Sequence, residues 1–118
     1  MMLPMTLLDQ HCSDGAGALD AAAVTELLAQ VPGWSVADGR LQRDFGFRDF
    51  HQTIDFVNAL ATMIHQQDHH PQLIITYRQC VVHYHTHSAA GAISQNDFIC
   101  AAKANALYAQ RTRVGAKT

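Results

Sequence analysis

The chain has 118 residues, of which 48% are hydrophobic and 15% charged, and its formal net charge is −2. That length allows one domain around one core, and that balance belongs to a packed globular protein rather than a disordered one. No basic patch points to nucleic acid as a direct partner, and no apolar run of about 18 residues points to a membrane span.

Residues 1–18 open the chain without a basic n-region and with only a short apolar stretch, so they do not read as a signal peptide. With Gly15 and Gly17 among them, they are expected to be irregular and flexible. A first helix is predicted from an Asp20 N-cap, with Val24, Leu27, Leu28 and Val31 on its buried face and Pro32-Gly33 as its stop. Asp38-Gly39 marks a hairpin turn. In the run that follows it, Leu41, Arg43, Phe45 and Phe47 share one strand face, with Gln42 and Asp44 on the other.

A second helix, capped near Asp49, is predicted to bury Phe50, Ile54, Val57, Ala61 and Ile64. Pro71 cannot continue it and disfavours α geometry at His70. The helix therefore stops near Gln67 and leaves Asp68-His69-His70 just past its C-terminal end. Residues 73–87 read as two strands joined by a tight turn near Arg78-Gln79. Cys80, Val82, Tyr84 and Thr86 form one face of the second strand, and His83, His85 and His87 the other. After a small-residue loop, Ser94 and Asp97 resemble a capping box. They open a last helix, predicted over 95–110, that buries Phe98, Ile99, Ala102, Ala106 and Leu107. The order α-β-β-α-β-β-α predicts an α+β fold, a four-stranded antiparallel sheet with helices packed on one face. A single domain over 19–111 with a frayed tail over 112–118 is expected.

Chemistry concentrates in the histidines. Six of the eight lie between His65 and His87, and histidine is the side chain that titrates nearest neutral pH. A histidine beside the unsatisfied carbonyls at a helix C-terminus is favoured in its protonated form. His69 and His70 occupy that position, and His87 offers a second titratable group from another element, as an elimination or hydration requires. The rival reading is a metal site built from His83, His85 and His87, or from His65 with His69. No Glu or Cys lies near them in sequence, and side chains along one strand face rarely converge on one ion. His11 and His51 read as surface residues. Cys12, Cys80 and Cys100, odd in number and widely spaced, argue against disulfides and for a cytoplasmic location.

The string His65, three residues, His69-His70-Pro71, five residues, Tyr77, nine residues, His87, nine residues, Asp97 resembles the pattern of the pterin-4a-carbinolamine dehydratases. Gly33-Trp34, Phe47-Arg48-Asp49-Phe50 and Thr86-His87 with its Ala/Gly loop extend the resemblance over residues 20–110. It implies a dehydratase, without metal or cofactor, that removes water from a 4a-hydroxytetrahydropterin to give the quinonoid dihydropterin in tetrahydrobiopterin recycling. It implies His69, His70 and His87 as the acid–base set, with Asp97 either orienting a histidine or capping the last helix. Asp68, His69, His70, His85, Thr86, His87 and Ser88 are implied as the pterin-lining residues. His85 stands where such proteins usually carry a small hydroxyl residue. Tyr77 reads as structural or interfacial and Trp34 as a core anchor. A homodimer or homotetramer and a functional link to an aromatic amino-acid hydroxylase are further implications. The alternatives are a dimerisation or regulatory partner protein and a pterin-related role in molybdopterin metabolism.

Overall fold

The computed structural model describes residues 6–116, and the side chains of 6–110. Seven main elements follow one another: α1 (Ala21–Leu28), β1 (Ser35–Ala37), β2 (Arg40–Gly46), α2 (Phe50–Gln67), β3 (Gln72–Ile75), β4 (Gln79–Tyr84) and α3 (Gln95–Ala116), with short 3-10 turns at Leu7–Asp9 and His87–Ala89. The strands form one antiparallel sheet in the order β1-β2-β4-β3, so the α+β architecture is as expected.

The first hairpin turns through Asp38 and Gly39, whose φ angles of 52° and 73° are both left-handed. That is the conformation a two-residue hairpin needs, and Asp-Gly adopts it readily. Along β2 and β4, Leu41, Phe45, Cys80, Val82 and Tyr84 are buried, with Phe47 just beyond β2, while the intervening residues are half-buried or exposed. The buried set joins Phe56, Leu60 and Met63 of α2 and Phe98, Cys100, Ala101 and Ala104 of α3 in one core.

Arg43 falls on this apolar face as its register requires, and its neighbours explain how a charge is tolerated there. The guanidinium donates to Asn105 Oδ1 at 2.7 Å and to the Pro32 carbonyl at 3.1 Å. It also lies 4.5 Å over the Phe45 ring and 5.1 Å over Tyr108. Gly33 lets it in, because a Cβ at that position would sit 2.7 Å from Arg43 Cζ. Trp34 is the expected anchor, buried edge-on to Phe45, with Nε1 donating to Asn105 Oδ1 at 2.8 Å.

Both predicted N-caps hold. Asp20 accepts from the Ala23 N–H and Asp49 from the Gln52 N–H. Other details differ from expectation. α1 ends at Leu28, and Val31 reaches the core from the turn that follows. The buried side of α2 is Thr53, Phe56, Leu60, Met63 and Ile64, whereas Phe50 and Ala61 are exposed and Ile54 and Val57 half-buried. Thr53 is accommodated because its hydroxyl lies 3.0 Å from both the Asp49 and Tyr77 carbonyls. The second hairpin turns on Tyr77-Arg78, closed by Thr76 N–H to the Gln79 carbonyl. α3 buries Cys100, Ala101 and Ala104 besides Phe98 and Ile99, leaves Ala102, Ala106 and Leu107 half-buried, and continues to Ala116. No Gly or Pro interrupts it before Gly115. The expected frayed tail is therefore helical as far as Ala116, and 117–118 lie outside the described residues, as do 1–5.

The irregular segment before α1 is tied down from residue 6 on. Leu7 is buried, Lys103 Nζ donates to the Leu8 carbonyl, and Asn96 exchanges hydrogen bonds with the Ser13 backbone in both directions. No helix among the described residues is long and apolar enough to cross a membrane.

Candidate active site

The helix stop at Pro71 shapes the site. The chain leaves α2 at Asp68, which is exposed and takes a left-handed conformation (φ 50°, ψ 43°), its N–H still bonded to the His65 carbonyl. This reversal returns His69 to the sheet, where its ring stacks on Tyr84 of β4, with centroids 5.2 Å apart and planes 12° from parallel. His69 Nε2 then lies 2.6 Å from Asp97 Oδ1. The His69 side chain is 12% exposed and that of Asp97 is 0% exposed.

Asp97 belongs to the first turn of α3, and its second oxygen, Oδ2, caps that helix. It accepts from the Ser94 N–H at 2.8 Å and from the Thr86 hydroxyl at 2.8 Å. Thr86 Oγ1 in turn lies 2.7 Å from Ser94 Oγ, which accepts from the Asn96 N–H. The proton order follows from the count of donors. Ser94 donates to Thr86, Thr86 donates to Asp97, and Oδ1 is left to accept from His69. The two roles weighed for Asp97, orienting a histidine and capping the last helix, are therefore both filled, one by each oxygen.

This arrangement fixes the tautomer of His69. Nε2 carries its hydrogen toward Asp97 in the neutral and the charged ring alike, so Nδ1 is the atom that gains or loses a proton. Tyr84 Oη and His85 Nδ1 are the buried side-chain atoms without a partner among the described residues. His69 Nδ1 is not among them and has no hydrogen-bond partner among the described residues, so it is the ring nitrogen left open for exchange. Burial alone would lower the pKa of His69. The hydrogen bond and charge of Asp97, with a smaller contribution from Cys12, outweigh burial and raise it above the ordinary histidine value. The result is an imidazole held toward its protonated form with one exchangeable face.

The other predicted residues lie around this centre. Thr86 is buried and its backbone is extended, so its side chain joins Asp97 while its two chain neighbours are His85 and His87. Those rings meet edge to face at 5.5 Å. His87 is exposed in the 3-10 turn, and His85 is half-buried with Nδ1 unpartnered. Ser88 is exposed and donates to the Ala16 carbonyl at 2.8 Å. His70 is exposed and makes no hydrogen bond to the described residues. Direct contacts thus unite His69, Asp97, Thr86, Ser94 and Tyr84 in one network and His85 with His87 in a second, joined through the Thr86 backbone. Asp68 and His70 stay on the surface beside His69. Among the described residues no three His, Cys, Asp or Glu side chains form a group able to hold a metal ion. Tyr77 is 62% exposed, stacked on Phe50.

Tyr84, Ser94 and Cys12 were not legible as site residues. Tyr84 reads only as one more residue of a strand face, and Ser94 only as a cap. Nothing in the spacing of Cys12 brings it near His69.

Comparison with known proteins shows the family. Residues 17–107 match the family model described as pterin 4 alpha carbinolamine dehydratase. A protein of Xanthomonas euvesicatoria pv. vesicatoria, provisionally named a pterin-4-alpha-carbinolamine dehydratase, is 50% identical over 105 residues, 85% of this chain and 88% of its own. One of Nitrosomonas eutropha with the same provisional name is 47% identical over 97 residues, 81% of this chain and 85% of its own. A crystal structure from Brucella melitensis, described as a transcriptional coactivator/pterin dehydratase, matches with a TM-score of 0.73 at 31% identity, covering 78% of this chain and 99% of that one. A family model that spans most of the chain, and relatives near half identical along more than four-fifths of it, place the protein in the pterin-4-alpha-carbinolamine dehydratase family of hydro-lyases.

Proposed function

We propose that the protein eliminates water from a 4a-hydroxytetrahydropterin to give the quinonoid dihydropterin, by acid–base catalysis with its histidines. The observation that carries this reading is the 2.6 Å contact of His69 Nε2 with the buried Asp97 carboxylate. The reaction breaks the C4a–O bond, puts a proton on the leaving oxygen and takes one from N5 as the C4a–N5 double bond forms. It is redox-neutral, so the proposal includes no cofactor. His69, held toward its protonated form with Nδ1 open, suits the acid at the leaving hydroxyl. His87 and His70, both exposed, suit exchange of the second proton with N5 and with water. Asp68, His85, Thr86 and Ser88 complete the pterin-lining set in this proposal, and Asp97 is the positioning residue for His69. The working domain is taken as residues 19–111.

The test follows the ultraviolet absorbance of enzymatically generated 4a-hydroxytetrahydropterin with and without protein. Removing a general acid or base costs on the order of 10²–10⁴ in rate. His69→Ala and His87→Ala are each expected to lose turnover on that scale while melting as cooperatively as the parent. No acceleration by the well-folded parent protein would overturn the reading.

A homodimer or homotetramer belongs to the same proposal. Ile74 and Ile75 on the edge strand β3 are 45% and 41% exposed, beside the stacked Phe50 and Tyr77. An edge with unpaired backbone groups and exposed apolar side chains is suited to pairing with a second copy. A cytoplasmic setting, in which an aromatic amino-acid hydroxylase supplies the substrate for tetrahydrobiopterin recycling, completes it.

A further inference from the structure

Cys12 and Cys100 are 88 residues apart in sequence, and their sulfurs lie 3.5 Å apart. Cys100 is wholly buried on α3, and Cys12 is half-buried in the segment that precedes α1. The contact is held in place and is not the chance position of a loose tail. The Cys12 N–H donates to Gln67 Oε1 at 2.9 Å, and its thiol points to the Asn96 carbonyl at 3.6 Å. The next residue, Ser13, is gripped by the Asn96 side-chain amide through its N–H at 3.0 Å and its carbonyl at 2.8 Å. Since the Cys12 hydrogen faces Asn96, the Cys100 hydrogen faces Cys12.

From this pair we infer a modification site, a dithiol that hydroperoxides oxidise to an intrachain Cys12–Cys100 disulfide without displacing the N-terminal segment from α3. The first step is attack of the Cys12 thiolate on the peroxide, which breaks the O–O bond, forms the Cys12 sulfenic acid and releases an alcohol, or water from hydrogen peroxide. The second is attack of the Cys100 sulfur on that sulfenic sulfur, which forms the S–S bond and expels water. In sum, two thiols and one hydroperoxide give one disulfide, one alcohol and one water, and the peroxide is the species reduced. The asymmetry of the pair fits this order. The Cys12 thiol is drawn below the ordinary thiol range, chiefly by the hydrogen bond from Cys100, and the same bond together with burial drives Cys100 upward. The more exposed sulfur is thus the nucleophile, and the buried one resolves it.

Cys80 is the internal control. It is buried on β4 beneath the sheet, and burial raises its thiol to about 11. The inference does not rest on the dehydratase reading, and its test contains no activity measurement. Full-length protein is treated with a small excess of hydrogen peroxide, blocked with iodoacetamide, and examined by intact mass, non-reducing peptide mapping and thermal melting. The expected result is loss of two hydrogens per chain, a Cys12–Cys100 peptide within one chain and an unmodified Cys80. The loss is reversed by dithiothreitol. The oxidised chain melts higher than the reduced one, because closing a long loop restricts the unfolded state. Cys12→Ser abolishes the link from a position outside every helix and strand, and Cys80→Ser retains it. Sulfinic or sulfonic acid at Cys12, a link between chains, no mass change where free cysteine is oxidised, or a linked chain that melts no higher would each overturn the inference.

Discussion

Replacing Asp97 by asparagine keeps the shape of the site and removes its one buried negative charge. In the parent, burial is the largest influence on His69 and lowers its pKa, and Asp97 reverses the balance through its hydrogen bond and charge. In Asp97→Asn burial acts unopposed by the carboxylate, so the His69 pKa falls below the free-histidine value of about 6.5. Breaking a buried ion pair costs about 3–5 kcal/mol when a charge is stranded. Here His69 can shed its proton, so the loss falls toward the about 1.5–3 kcal/mol of one charge-assisted hydrogen bond. The sign of the pH dependence is fixed. A histidine whose folded pKa is raised stabilises fully below its unfolded pKa, and that contribution fades as pH rises through the folded value. The stability gap between parent and variant is therefore wider at pH 6 than at pH 9. Above the raised pKa the ion pair is gone, and the gap shrinks to the hydrogen bond that the neutral imidazole still donates to the carboxylate. Urea denaturation at pH 6 and pH 9, with an NMR titration of the His69 ring, measures both. An unchanged or higher His69 pKa in the variant, or an equal gap at the two pH values, would refute the assignment of Asp97 as the group that charges His69.

Two other substitutions probe the supports. Thr86→Val keeps the volume of a buried residue but removes a donor to Asp97 and an acceptor for Ser94. It is expected to cost about 1–3 kcal/mol in urea unfolding, and to move the His69 titration, which a purely structural change would leave in place. Arg43→Met keeps much of the stem and discards the bonds to Asn105 and Pro32 along with two ring contacts. A loss of about 1–3 kcal/mol with an unaltered His69 titration is expected, since Arg43 contacts neither network of the site.

The strands and the stop of α2 were legible because short-range rules decide them. Asp-Gly turns the first hairpin, the two-residue alternation along β4 separates Tyr84 and Thr86 from His83 and His85, and Pro71 ends α2 where its ring requires. The rotation of the helices was not legible, because it depends on partners distant in sequence. α2 is apolar on more than one side, so the periodicity that selects Phe50, Ile54 and Val57 competes with Thr53, Phe56 and Leu60. The sheet decides for the second set once the Thr53 hydroxyl finds carbonyls at Asp49 and Tyr77. In α3 the inward face includes a carboxylate, which no apolar count would choose. Asp97 is buried because His69, Thr86 and Ser94 all meet it, and the helix turns with it, bringing Cys100 and Ala101 inward. The site string was legible as spacing, but its two networks and their link through Thr86 required the fold.

The use of aspartate at position 97, where a capping box usually carries a glutamate or glutamine, has its own consequence. One carboxylate must reach the Ser94 N–H at 2.8 Å and His69 Nε2 at 2.6 Å with opposite oxygens, and a side chain of one methylene spans both. Asp97→Glu restores the usual capping residue and keeps the charge, yet it places an extra methylene in a fully buried site. Overpacking of that kind costs about 1–3 kcal/mol, and the longer chain can satisfy the cap or the imidazole but not both in the present geometry. The variant is expected to keep its helix content by circular dichroism, to lose stability, and to show a His69 titration displaced from the parent. Should Asp97→Glu match the parent in both stability and His69 pKa, the carboxylate would be tolerant of position, and the coupling of helix cap to histidine would have no mechanical basis.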